Sequence, residues 1–71
     1  MEIAKFWVIQ NGFGEFYRMT STGNWFFDKN FSKAKNFQSK GRAEVRMNQL
    51  KEMIDTPGYT LEVRSVTVTL D

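Results

Sequence analysis

The sequence predicts an α+β domain: an antiparallel sheet of three to four strands with a single amphipathic helix packed on one face, in the order β-β-(β)-α-β. Three observations point there. Only one stretch, Ser39 to Ile54, has sustained helical periodicity. The segments on either side are short, rich in β-branched and aromatic residues, and broken by Gly, Asn, Ser and Pro. The 71 residues amount to one domain, residues 1–71, near the size at which folding removes only roughly 60 % of the unfolded chain's surface from water.

Ile3 to Gln10 (IAKFWVIQ) contains no Gly or Pro and reads as a strand with two faces, Ile3, Lys5, Trp7, Ile9 and Ala4, Phe6, Val8, Gln10. Both faces are largely apolar, so each calls for cover from the chain itself or from a partner. Asn11-Gly12 predicts a type I′ hairpin, which needs positive φ at both central residues, and Gly14 is placed to make the loop longer or bulged. Glu15 to Met19 returns as the second strand, with Phe16 and Arg18 on one face and Tyr17 and Met19 on the other. After the turn-rich Thr20 to Asn24, Trp25-Phe26-Phe27 is a third short strand or an aromatic plug over the core. In Asp28 to Gln38, Phe31, Ala34 and Phe37 recur every third residue, which predicts one 3-10 or α turn and then an extended piece near Lys35 to Gln38.

Ala43, Met47, Leu50 and Ile54 fall within one narrow stripe at 3.6 residues per turn, giving a helix of about four turns. Ser39 is placed to accept a hydrogen bond from one of the first free amides, and Thr56-Pro57-Gly58 stops the helix. Gly41 in the first turn costs about 1 kcal/mol relative to Ala and favours a start near Arg42. Tyr59 to Leu70 is a last strand whose apolar phase changes: Tyr59, Leu61 and Val63 share one parity, Val66, Val68 and Leu70 the other. A bulge near Arg64-Ser65 would reconcile the two halves. Alternatively the last half leaves the sheet and meets another chain, which makes a homodimer through this strand one of the expected states.

Composition narrows the chemistry. With no Cys and no His, the chain lacks thiol nucleophiles, imidazole bases and the usual zinc ligands. Its eight carboxylates are scattered; Glu52 and Asp55 fit a solvated helix end, and Ser39-Lys40 fits a cap better than a dyad. The expectation is a protein that is not an enzyme, with no catalytic residues, no cofactor and no metal. Gly12-Phe13-Gly14 has neither a third glycine nor a following helix, so a turn, not a phosphate cradle, is expected there. Seven Phe, two Trp and two Tyr supply the dense packing that a short chain without disulfides needs. No window approaches the roughly 18 apolar residues of a membrane span and no signal-peptide pattern opens the chain, so a cytoplasmic protein that does not engage a membrane is expected.

The net charge of +2 hides a segregated distribution. Residues 29–51 carry Lys29, Lys33, Lys35, Lys40, Arg42, Arg46 and Lys51 against Glu44 alone, whereas acidic residues prevail on both sides. Interleaved with Phe31 and Phe37, this segment has the makings of a nucleic-acid footprint. Lys29, Lys33, Lys35, Lys40, Arg42 and Arg46 would contact phosphates, and Trp7 or Tyr17 would stack bases. The plainer reading is a solvated surface.

Two resemblances bear on this. Asn11-Gly-Phe-Gly-Glu-Phe16, preceded by Lys5-Phe-Trp-Val8, looks like the Lys-Gly-Phe-Gly-Phe stretch of cold-shock domains, whose strand aromatics stack on bases. The match covers about six residues, and the helix and missing His-bearing motif set this chain apart from that family. Over most of its length the chain resembles small orphan bacteriophage ββαβ proteins, with Ala34 and Phe37 before a capped helix that opens on Ala43 and a Val-rich closing strand. That resemblance implies packing roles for those residues, a host cytoplasm as the location, and an accessory protein that inhibits or redirects a host protein.

The leading expectation is a non-enzymatic module that binds a host protein or a second copy of itself. If the helix covers the face bearing Phe6 and Val8, then Trp7, Ile9 and Tyr17 lie together on the open face and anchor the contact. The alternative is a single- or double-stranded nucleic-acid binder using the basic segment.

Overall fold

The structure, a computed structural model, describes residues 1–70. Strands β1 (Glu2–Asn11), β2 (Phe16–Met19) and β3 (Trp25–Asp28) are followed by a 3-10 turn at Phe31–Lys33, helix α1 (Lys40–Met53) and strand β4 (Leu61–Thr69). The four strands form one antiparallel sheet in the order β3-β2-β1-β4, with α1 packed across one face, an α+β fold.

The first turn is not the two-residue type I′ hairpin that Asn11-Gly12 predicts. Among the described residues no non-glycine has positive φ, and positive φ falls instead on Gly14, at 80°. The loop is longer: Asn11 donates its amide to the carbonyl of Glu15 at 2.9 Å, and Gly14 N–H reaches back to Asn11 O at 3.2 Å. The physical reason is the Asn11 side chain. Its Oδ1 accepts from the amides of both Phe13 (3.0 Å) and Glu15 (2.9 Å), an arrangement that holds Asn11 outside the left-handed region and passes that role to glycine.

β2 meets β1 only where Phe16 stands opposite Gln10. Beyond that point the extended connector fills the space, and Phe37 exchanges both backbone hydrogen bonds with Trp7 at 2.9 and 2.8 Å. Lys35 N–H caps the Tyr17 carbonyl at 2.8 Å. The connector is thus an extra rung of the sheet.

Helix α1 begins as the cap predicts, with Ser39 Oγ accepting from Arg42 N–H at 3.2 Å. It starts at Lys40, so Gly41 lies inside the first turn instead of before it. Ala43 and Leu50 are fully buried, and Met47 and Ile54 pack against the cluster around Ile9, Tyr17 and Leu50.

The bulge expected near Arg64-Ser65 is absent from the described residues. The β1–β4 ladder runs evenly from Ala4 opposite Val68 to Asn11 opposite Leu61, and its irregularity lies in β1, between Glu2 and Ala4. The phase change in β4 is real and uncorrected. Leu61 and Val63 face α1 and join the core, whereas Val66, opposite Phe6, faces the other way. One strand therefore serves two faces in succession.

Candidate functional site

The side on which α1 lies decides what the sheet shows to solvent. Directly opposed residues of an antiparallel pair share a face, which puts Ile9 with Val63 and Tyr17 with Phe27 on the helix side. Ile9 and Tyr17 have no exposed surface, and with Leu50 they form the core. The expected open face of Trp7, Ile9 and Tyr17 is thus the covered one. Both faces of β1 are apolar, and the helix takes the side where Tyr17, Trp25 and Phe27 converge, with ring centroids 6.0 to 6.2 Å apart. Trp7 is half-buried beside the Phe37 rung, with Lys5 Nζ 5.7 Å from its ring centre. Ile9 and Tyr17 are therefore not free to anchor a partner as expected, and Trp7 keeps only part of its surface exposed.

Nor are the basic residues gathered on one surface. Arg46 belongs to the roof of the core: its Nε donates to Tyr17 Oη at 2.9 Å, its guanidinium lies over the Tyr17 ring at 5.6 Å, and Nη1 donates to Gln49 Oε1. Lys40 stands 3.7 Å from Glu44, one helical turn on. Lys29, Lys33, Lys35 and Arg42 are exposed and form no ion pair among the described residues. Lys29 precedes the 3-10 turn and Lys33 ends it, and the turn's Phe31 packs edge-on against Phe16 on the face turned away from α1. The sheet stands between them and the cations of the helix.

Apolar side chains are exposed in several places, Phe13 in the first loop and Val45 and Met53 on α1 among them, and the reverse face is one of these places. The strand registers place Phe6, Val8, Phe16, Phe26, Val66 and Val68 on it. Val8 is buried, Phe6, Phe16 and Val66 are half-buried, and Phe26 (41 %), Phe31 (44 %) and Val68 (38 %) remain exposed. Arg18 crosses this face with its guanidinium 4.7 Å from the Phe26 ring centre and its Nη1 2.7 Å from Asp28 Oδ2. Its Nε is buried and has no acceptor among the described residues. The carboxyl of Asp28 is held below its ordinary pKa, first by the Asn30 amide and then by the Arg18 hydrogen bond, with Lys33 adding to the attraction.

No known protein family, curated protein or solved structure matches this chain.

The residues of the reverse face were partly visible in the sequence. Phe16 and Arg18 share a parity opposite to Tyr17, and Val66 and Val68 break phase with Leu61 and Val63. The phase break was the signal of a second apolar face. Phe31 was missed because a 3-10 turn has too few residues to show which way its anchor points. Among the described residues no group of three or more His, Cys, Asp or Glu side chains is placed to hold a metal, and no helix is long and apolar enough to cross a membrane.

Proposed function

We propose that this chain is a small non-enzymatic protein-binding module that presents the reverse face of its sheet to an apolar surface with an acidic rim. The observation that carries this reading is the exposure of two aromatic side chains, Phe26 and Phe31, on the face opposite α1, where Val68 of β4 is exposed as well. Aromatic anchors of this kind contribute to binding by leaving water, and Lys29 and Lys33 beside Phe31 add attraction for carboxylates at the rim of a partner. The resemblance to bacteriophage orphan proteins adds the kind of partner, a host protein that is inhibited or redirected.

A nucleic-acid reading draws on the same place. Phe16, Phe26 and Phe31 with Arg18, Lys29 and Lys33 form an aromatic surface edged by cations, suited to stacking single-stranded bases. Asp28 and Glu62 on that face oppose phosphate, and the helix cations lie on the far side. Protein binding is therefore the stronger reading.

Capture of partners from a bacterial lysate, with and without nuclease, compares the native chain with the Phe26→Ser/Phe31→Ser double variant. Protein binding requires a partner that survives nuclease and is lost from the variant. Recovery that depends on nucleic acid, with oligonucleotide affinity falling steeply as salt rises, transfers the function to the second reading. Equal capture by native and variant chains removes the reverse face from both.

A further inference from the structure

We propose that β4 is an interface strand, and that its outer edge pairs antiparallel with β4 of a second copy in the register that sets Val63 on the two-fold axis. The starting point is the strand order, which puts β4 at the edge of the sheet with nothing beyond it among the described residues. The two edges of this sheet are unlike. β3 has four residues, whereas β4 has nine and carries no Pro and no bulge; its two charges, Glu62 and Arg64, are of opposite sign and so do not by themselves bar pairing with a second copy.

The pleat states which backbone groups are free. Trp7 turns its amide and carbonyl away from β4 to pair with Phe37, so Phe6 and Val8 turn theirs toward β4 and bond Val66 and Arg64. Thr60 likewise points its carbonyl at Gly12 N–H, 3.1 Å away. Leu61, Val63, Ser65 and Thr67 must therefore direct their N–H and C=O groups outward.

Side-chain charge selects among the symmetric registers these groups allow. Centred on Arg64, two guanidiniums would stand opposite each other. Centred on Ser65, Glu62 would oppose Val68 and Arg64 would oppose Val66, leaving the charges without partners across the seam. Centred on Val63, Glu62 of each copy stands opposite Arg64 of the other, twice by symmetry, in the close non-hydrogen-bonded sites where cross-strand side chains approach most nearly. Within one chain the two already attract, with Arg64 Nη2 2.7 Å from Glu62 Oε1, and both are more than half exposed. In this register Val63 pairs with Val63 and Leu61 with Ser65, closing about six new backbone hydrogen bonds. The partner's Ser65 and Thr67 then border the cavity of about 300 Å³ lined by Lys51, Ile54, Tyr59, Thr60 and Leu61. Such a pair is isologous. It joins two four-stranded sheets edge to edge, with both helices on one side and both reverse faces on the other, so it leaves the surface assigned to partner binding free.

The test is sedimentation of the full chain from about 1 μM to about 1 mM, together with the Glu62→Arg and Arg64→Glu variants. The native chain is expected to dimerise with concentration. Each variant alone sets like charges across the seam and is expected to weaken the dimer by about tenfold or more. An equimolar mixture of the two variants restores complementarity and should associate as tightly as the native chain. Both positions are exposed, and circular dichroism verifies that each variant is folded. A native chain that stays monomeric throughout, single variants that dimerise like the native chain, or a mixture no tighter than its components would each overturn the proposal.

Discussion

Asn11 is a buried polar side chain whose four hydrogen-bonding positions are all filled. Oδ1 accepts from the amides of Phe13 and Glu15, while Nδ2 donates to Glu15 Oε1 and to Tyr59 Oη, each at 2.9 Å. The residue thus sets the first turn and ties it to the approach to β4. Asn11→Ala would leave two turn amides and the Tyr59 hydroxyl without their partner, and should lower the unfolding free energy by about 2 to 3 kcal/mol in urea denaturation. A loss below about 0.5 kcal/mol would show that water replaces the side chain at no cost. The turn at Asn11 was legible in the sequence because Asn-Gly is a local signal. Its partner was not, since Tyr59 lies 48 residues further on and no spacing rule connects them. The same limit applies to Arg46, which reads as a helix-flank cation until Tyr17 is seen beneath it.

At the scale of elements, the helix was the most legible part of the chain. The stripe of Ala43, Met47, Leu50 and Ile54 and the Ser39 cap are written within 16 consecutive residues, and both appear in the structure. What the sequence left open was the face that the helix covers. Period-two parity separates Ile9 from Val8 but cannot rank two apolar faces; that choice depends on Trp25 and Phe27 joining Tyr17 through strand pairing. The two residues at the start of α1 act in opposite directions. Ser39→Ala removes an acceptor from the Arg42 amide and should cost about 1 kcal/mol. Gly41→Ala should stabilise by about 0.5 to 1 kcal/mol, because an added Cβ meets nothing within 4 Å and the unfolded chain loses freedom. Thermal unfolding monitored at 222 nm reads both. Equal effects of one sign would mean that the first turn is not helical in solution.

Across the whole molecule, packing is concentrated at one end. The chain measures 42 × 23 × 21 Å, and its long axis reflects β1 and β4, which outrun the four-residue strands beside them. From Met1 to Lys5 and from Thr67 to Leu70 every residue is exposed, whereas Val8, Ile9, Tyr17, Ala43 and Leu50 are buried. The ribbon's tip is closed by Leu70 N–H to Met1 O at 2.7 Å and by the terminal ammonium to Leu70 O at 3.0 Å, bonds open to water. A two-stranded ribbon alone is marginal in water, so its tip should open without the core unfolding. Native-state hydrogen exchange, followed at a concentration below self-association, checks this residue by residue. The amides of Ala4 and Val68 should exchange through a local opening only slightly above the unprotected rate, while those of Val8 and Leu50 should exchange only with global unfolding and share its dependence on denaturant. If Ala4 and Val68 follow the denaturant slope of Val8, the ribbon and the core unfold as one unit, and the exposed tip gains its stability from contacts beyond the pairing of β1 with β4.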